Sequence, residues 1–139
     1  MPRSRLRHLG ITIGTYPTGK YNAITDVSDI LVGHHTLNYD EPYIARTGVT
    51  IINPRGGKIW HDFAFAGFHS LNGCGEMTGV HWINEAGLLT TPIAITNTHD
   101  VGIAHHALVR YGIEKELMGI FSLPVAAETY DGWLNDPRA

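Results

Sequence analysis

Apolar residues along this chain gather in short runs separated by glycine, proline and asparagine. Ile30-Leu31-Val32-Gly33-His34 and Val49-Thr50-Ile51-Ile52 are brief, apolar and rich in β-branched residues, which predicts strands. The second run ends at Asn53-Pro54-Arg55-Gly56-Gly57, a strong turn signal. Lys58 to Ala66 reads as a third strand. Val80-His81-Trp82-Ile83 and Pro92-Ile93-Ala94-Ile95-Thr96 read as further strands, and Leu123 to Thr129 as the last. One segment has a different period. Val101, Ala104, Leu108 and Tyr111 recur at i, i+3, i+7 and i+10, an apolar stripe of helical spacing. Asp100 stands where a helix cap is expected, Arg110 faces another side, and Gly112 ends the helix or marks a weak turn before Ile113 to Leu117. Residues 1–22 and Gly67 to Gly79 are broken by glycine and read as irregular. Several strands, one long helix and a closing strand predict a mixed α/β fold in layers. No internal repeat is visible.

Composition narrows the function classes. The 139 residues suit a single domain, and 43% hydrophobic with 17% charged residues is a globular balance. The net charge of -3 lacks the basic excess of a nucleic-acid binder. The local cluster Arg3, Arg5 and Arg7 reads as a solvated tail. Cys74 is the single cysteine, so no disulfide closes within the chain and no oxidising compartment is implied. No apolar run approaches the ~18 residues a membrane helix needs, and no signal-peptide pattern follows the N-terminus. The expectation is a cytoplasmic protein, with neither nucleic acid nor membrane as partner.

The candidate chemistry is sparse. The nine histidines invite a metal reading. Yet His34-His35 and His105-His106 are adjacent pairs, and adjacent residues point to different sides of an element. Only His99 and His106 share a face, and only with an early helix start. Surface or hydrogen-bonded histidines, with no metal, are the expected outcome. None of Ser4, Ser28, Ser70 or Ser122 lies in the Gly-x-Ser-x-Gly pattern of a nucleophile elbow. Cys74 has Glu76 beside it, the wrong sign to activate a thiol. The glycine-rich run Asn72 to Gly79 lacks the Lys-Ser/Thr of a phosphate loop and reads as a tight turn whose backbone approaches something other than phosphate. Glu128 and Tyr130 are the most suggestive pair. Two apart on a strand, they share a face. A carboxylate beside a phenol can hold an ammonium and donate one hydrogen bond to an oxyanion. The same pair also fits a plain strand-end surface.

Taken as strings, several collinear segments resemble one family. They are Tyr21 to Val27 with Val32-Gly33-His34, Arg46 to Thr50, Asn72-Gly73 with Gly75 to Gly79, Gly87-Leu88-Leu89 with Pro92 to Thr98, and Leu123 to Gly132. Over roughly residues 16–136 the chain resembles the DmpA-like L-aminopeptidase/D-esterase family, which includes the β-peptidyl aminopeptidases. Cys74 between glycines and Pro137-Arg138-Ala139 depart from the family pattern.

The resemblance implies a layered αββα sandwich of the DmpA/ornithine-acetyltransferase type. Residues 1–139 would form its N-terminal portion, a single incomplete domain. It implies a precursor that cleaves itself before a serine, and attack by that new N-terminal serine on an acyl carbon. The nucleophile would lie on the β-subunit from the same precursor, downstream of this chain, leaving this portion inactive by itself. Substrates would be peptides, amino-acid amides or esters with a free amine, of L-, D- or β-residues. No metal or organic cofactor is implied, and a homo-oligomer of αβ units is. By resemblance, Glu128 binds the substrate amine and Tyr130 donates to the oxyanion, while Met77, Trp82 and Trp133 line the pocket. A non-catalytic remnant or binding domain is the alternative from another class.

Overall fold

The computed structural model describes residues 4–119 and 121–138. Its elements run β1 (Leu31–Tyr39), β2 (Ala45–Asn53), β3 (Ala64–Phe65), α1 (Val80–Ala86), β4 (Leu88–Leu89), β5 (Ile93–Asn97), α2 (Val101–Glu114) and β6 (Val125–Thr129). Four strands form one sheet in the order β1-β2-β5-β6, and β3 and β4 form a second, two-stranded sheet. β1, β2 and β5 pair antiparallel, whereas β5 and β6 pair parallel. A parallel pair needs a crossover, and α2 supplies it.

Strand alternation places the core on both faces of the larger sheet. Ala94 and Ala126 sit side by side in register and pack against Val101, Ala104 and Leu108 of α2. Val125 and Ile93, one position away on each strand, face Ile59, Trp60, Ile83 and Leu89 on the opposite side. The layers are therefore helix, larger sheet, then the small sheet with α1. Burying Leu108 to 6% exposure contributes about 1.5–3 kcal/mol. α2 packs on β5 and β6. Towards β1 and β2 it leaves an apolar groove of about 710 Å³, lined by Leu37, Val49, Ile51, Ile103 and Tyr111 among others.

Several expected elements differ. Val80 to Ile83 is the start of helix α1, not a strand. Gly79 and Gly87 both adopt positive φ at its ends, and Ile83 alone is buried. Lys58 to Ala66 is mostly turn, with strand only at Ala64–Phe65. Ile59 and Trp60 are apolar because they fill the core, not because they alternate along a strand. The side chain of Asp100 makes no cap hydrogen bond. Asn97 caps instead, its Oδ1 accepting from the His99 and Asp100 N–H groups at 3.0 and 3.2 Å. α2 continues past Gly112 to Glu114, and its buried stripe ends on Gly112, with Tyr111 47% exposed.

Candidate active site

The site forms where the glycine-rich segment meets the outer edge of β6. A strand edge offers unpaired N–H and C=O groups, and residues 76–78 take them. The Thr78 N–H donates to the Ala126 carbonyl at 2.9 Å, and the Glu128 N–H donates to the Glu76 carbonyl at 2.9 Å. Between them Met77 stands opposite Ala127 in an antiparallel bridge. The backbone of this glycine-rich run therefore lies against β6. Gly79 permits it. Its φ is +76°, and a Cβ there would sit 3.0 Å from Val125 and 3.1–3.2 Å from the Leu123 and Pro124 carbonyls.

At both ends of this short ladder a side chain replaces a backbone acceptor. The Glu76 N–H is shared between the Cys74 carbonyl at 3.2 Å and the Glu128 carboxylate, Oε1, at 3.3 Å. The Ala126 N–H donates to the Thr78 hydroxyl at 2.9 Å, and that hydroxyl donates to the Pro124 carbonyl at 2.7 Å. Pairing also fixes the faces. Residues opposite each other in an antiparallel ladder share a side, so Glu76 and Glu128 stand together. Like charges placed opposite one another repel. Among the described residues neither carboxylate has a cationic partner. The arrangement is therefore suited to an added cation.

Tyr130 follows directly after β6 and is 74% exposed. Its ring lies over Gly132, where any Cβ would overlap it. The Asp131 carboxylate between them has one buried oxygen, Oδ2, without a hydrogen-bond partner among the described residues. The chain then returns to the start of β2. The Asp136 N–H donates to the Ile44 carbonyl, and Asn135 accepts from the Arg46 N–H. Arg138 pairs with Asp136 at 2.6 Å and stacks on Tyr43. Its guanidinium pulls the Asp136 carboxyl down to about 2.

The structure does not bring all expected pocket residues to Glu128. Met77 lies on the opposite side of the ladder and packs on the cluster of Ile59, Trp60 and Val125. Alternation forces this, since its neighbours Glu76 and Thr78 take the other side. Trp82, on α1, meets Phe121 edge-on and lines a separate cavity of about 550 Å³ with Leu123. Leu123 is five residues before Glu128, about 16 Å along an extended chain. Trp133 is 93% exposed beyond Gly132. The sequence reading missed Glu76 and Thr78. The available signal was the β-branched threonine after a glycine-rich run, which marks a segment able to add to a sheet edge. Of the histidines, His34 pairs with the Thr50 hydroxyl at 2.9 Å. Among the described residues no three His, Cys, Asp or Glu side chains gather as a metal-binding group, and no helix is long and apolar enough to cross a membrane.

Residues 22–139 match the model of peptidase family S58. The chain is 42% identical over 138 residues to β-peptidyl aminopeptidase BapA of Sphingosinicella microcystinivorans, an alignment covering 95% of this chain and 34% of that one. Its fold matches a Burkholderia sp. β-aminopeptidase with a TM-score of 0.89 at 52% identity, covering 96% of this chain and 38% of that one. It matches the L-aminopeptidase D-Ala-esterase/amidase of Ochrobactrum anthropi, described as a prototype of the serine aminopeptidases and a variant of the Ntn hydrolase fold. There the TM-score is 0.88 at 44% identity, with 96% and 40% covered. The chain spans about a third of the length of the curated relatives it matches. A family model aligned from residue 22 onward, with these relatives at 42–52% identity, makes this chain a member of peptidase family S58.

Proposed function

We propose that this chain is the N-terminal part of the α-subunit of a self-processing serine aminopeptidase. Its substrates are peptides, amino-acid amides or esters that carry a free amine, the acyl residue being of the L-, D- or β-type. The nucleophilic serine belongs to a β-subunit cut from the same precursor, and αβ units assemble into a cytoplasmic homo-oligomer. Glu128 receives the substrate's ammonium, which relieves the repulsion between two facing carboxylates. Tyr130 donates its hydroxyl to the oxyanion formed as the acyl carbon becomes tetrahedral. The serine oxygen forms that intermediate by attacking the acyl carbon. The intermediate collapses to an acyl-enzyme as the remaining peptide, amine or alcohol leaves with a proton. Water then cleaves the ester to release the N-terminal residue and regenerate the serine.

The observation that carries this reading is the Glu128 carboxylate, held by the Glu76 N–H and lacking a cationic partner among the described residues. The test compares alanine methyl ester with methyl propanoate, which lacks the amine, in the full-length enzyme. Glu128→Gln is expected to lower kcat/KM for the amino ester about ten- to a hundredfold, the scale of a lost hydrogen bond to a charged group, and to leave the des-amino ester unchanged. Equal loss on both esters would refute amine recognition by Glu128.

A further inference from the structure

We infer that Thr78 is a positioning residue for the Glu128 carboxylate. The inference rests on the amine-binding reading of Glu128 and adds the device that aims it.

A free glutamate at the end of a strand has several rotamers of similar energy, and an amine site needs one of them. Glu128 is restrained from across the ladder by the Glu76 N–H. That N–H also donates to the Cys74 carbonyl at 3.2 Å, within a segment that carries Gly73, Gly75 and Gly79. Something must hold the segment in register against β6. Met77 contributes packing on the core. Polar contacts come from the Glu76 carbonyl, which accepts from the Glu128 N–H at 2.9 Å, and from Thr78. Its N–H donates to the Ala126 carbonyl at 2.9 Å. Its hydroxyl donates to Pro124 at 2.7 Å and accepts from Ala126 at 2.9 Å.

The hydroxyl is thus used in both directions, by backbone groups of two buried residues. A valine in its place keeps the shape and loses both bonds. The Ala126 N–H would then be left without this acceptor, and would draw the Thr78 carbonyl inward as in an ordinary ladder. That movement rotates the segment and carries the Glu76 N–H away from Glu128. Position 78 therefore sets where the carboxylate points, although its side chain faces β6 and not the substrate. Serine supplies the same hydroxyl and restores the arrangement.

The test is made in the full-length enzyme, with alanine methyl ester and methyl propanoate as substrates. Thr78→Val is expected to reduce the preference for the amino ester ten- to about a hundredfold, the scale of a lost hydrogen bond to a charged group. Thr78→Ser is expected to retain the preference within about threefold. Leu108→Ala, which weakens the packing of α2 far from this ladder, serves as the stability control and is expected to leave the preference intact. Glu128→Gln is measured alongside. A preference lost in Glu128→Gln but kept in Thr78→Val overturns the positioning role alone. A preference kept in Glu128→Gln overturns it together with the reading on which it rests. Equal loss in Leu108→Ala and Thr78→Val also overturns it, because general destabilisation would then suffice.

Discussion

Glu76 and Glu128 are joined twice, by the Glu128 N–H on the Glu76 carbonyl at 2.9 Å and by the Glu76 N–H on the Glu128 carboxylate at 3.3 Å. They are 52 residues apart in the chain. A carboxylate fixed by a backbone donor presents its remaining lone pairs in a defined direction.

The oxyanion role proposed for Tyr130 predicts a specific loss. Tyr130→Phe removes one donor and is expected to lower kcat about 10²–10³-fold, with KM little changed. Steady-state kinetics on an amino-acid amide checks this. A tyrosine that only lines the pocket would raise KM instead.

Gly132 supports the same side chain from beneath. A Cβ at that position would overlap the Tyr130 ring. Gly132→Ala is therefore expected to displace the ring and reproduce much of the Tyr130→Phe loss. Because residue 132 is exposed, the urea midpoint should shift by less than about 0.5 kcal/mol in equivalent stability.

Gly79 is the converse case, with a structural cost. Its positive φ and its closeness to the Leu123 and Pro124 carbonyls exclude a side chain. Gly79→Ala is expected to destabilise the fold by about 1–3 kcal/mol, read from the urea midpoint at constant slope. An unchanged midpoint would mean that the segment does not lie against β6.

The Asp136–Arg138 pair makes a pH prediction. The folded pKa of Asp136 is lowered from 3.8 to about 2, with the hydrogen bond from Arg138 as the largest cause. The folded state therefore binds this proton less readily than the unfolded chain. The stabilisation is present above the unfolded value of about 3.9 and is lost as pH falls through about 2. An NMR titration of the Asp136 carboxyl should show the low midpoint, and Arg138→Ala should return it towards 3.8.

The central strands were legible because β2, β5 and β6 carry β-branched or small apolar residues in short runs. The long helix was legible through Val101, Ala104 and Leu108. α1 was not, since four residues that include valine, tryptophan and isoleucine satisfy a strand pattern as well as a helical turn. Its real marks were Gly79 and Gly87 at either end. Ile59 and Trp60 misled for another reason: their burial comes from distant partners, Ile83, Leu89 and Val125, which no local period reveals. Glu128 and Tyr130 were singled out by their chemistry and by family resemblance. Glu76 and Thr78 were hidden because their partners lie about fifty residues downstream, and a two-residue pairing leaves no periodic trace. Met77, expected in the pocket by family resemblance, packs against the core cluster that includes Ile59, Trp60 and Val125.

The central claim is that this S58-family chain belongs to a self-processed aminopeptidase. Intact-mass analysis with N-terminal sequencing of the protein purified from its natural source tests it most directly. Two co-purifying chains are predicted, the first containing this sequence and the second beginning with serine. A single uncleaved species, with no chain starting at serine or threonine, would contradict the account.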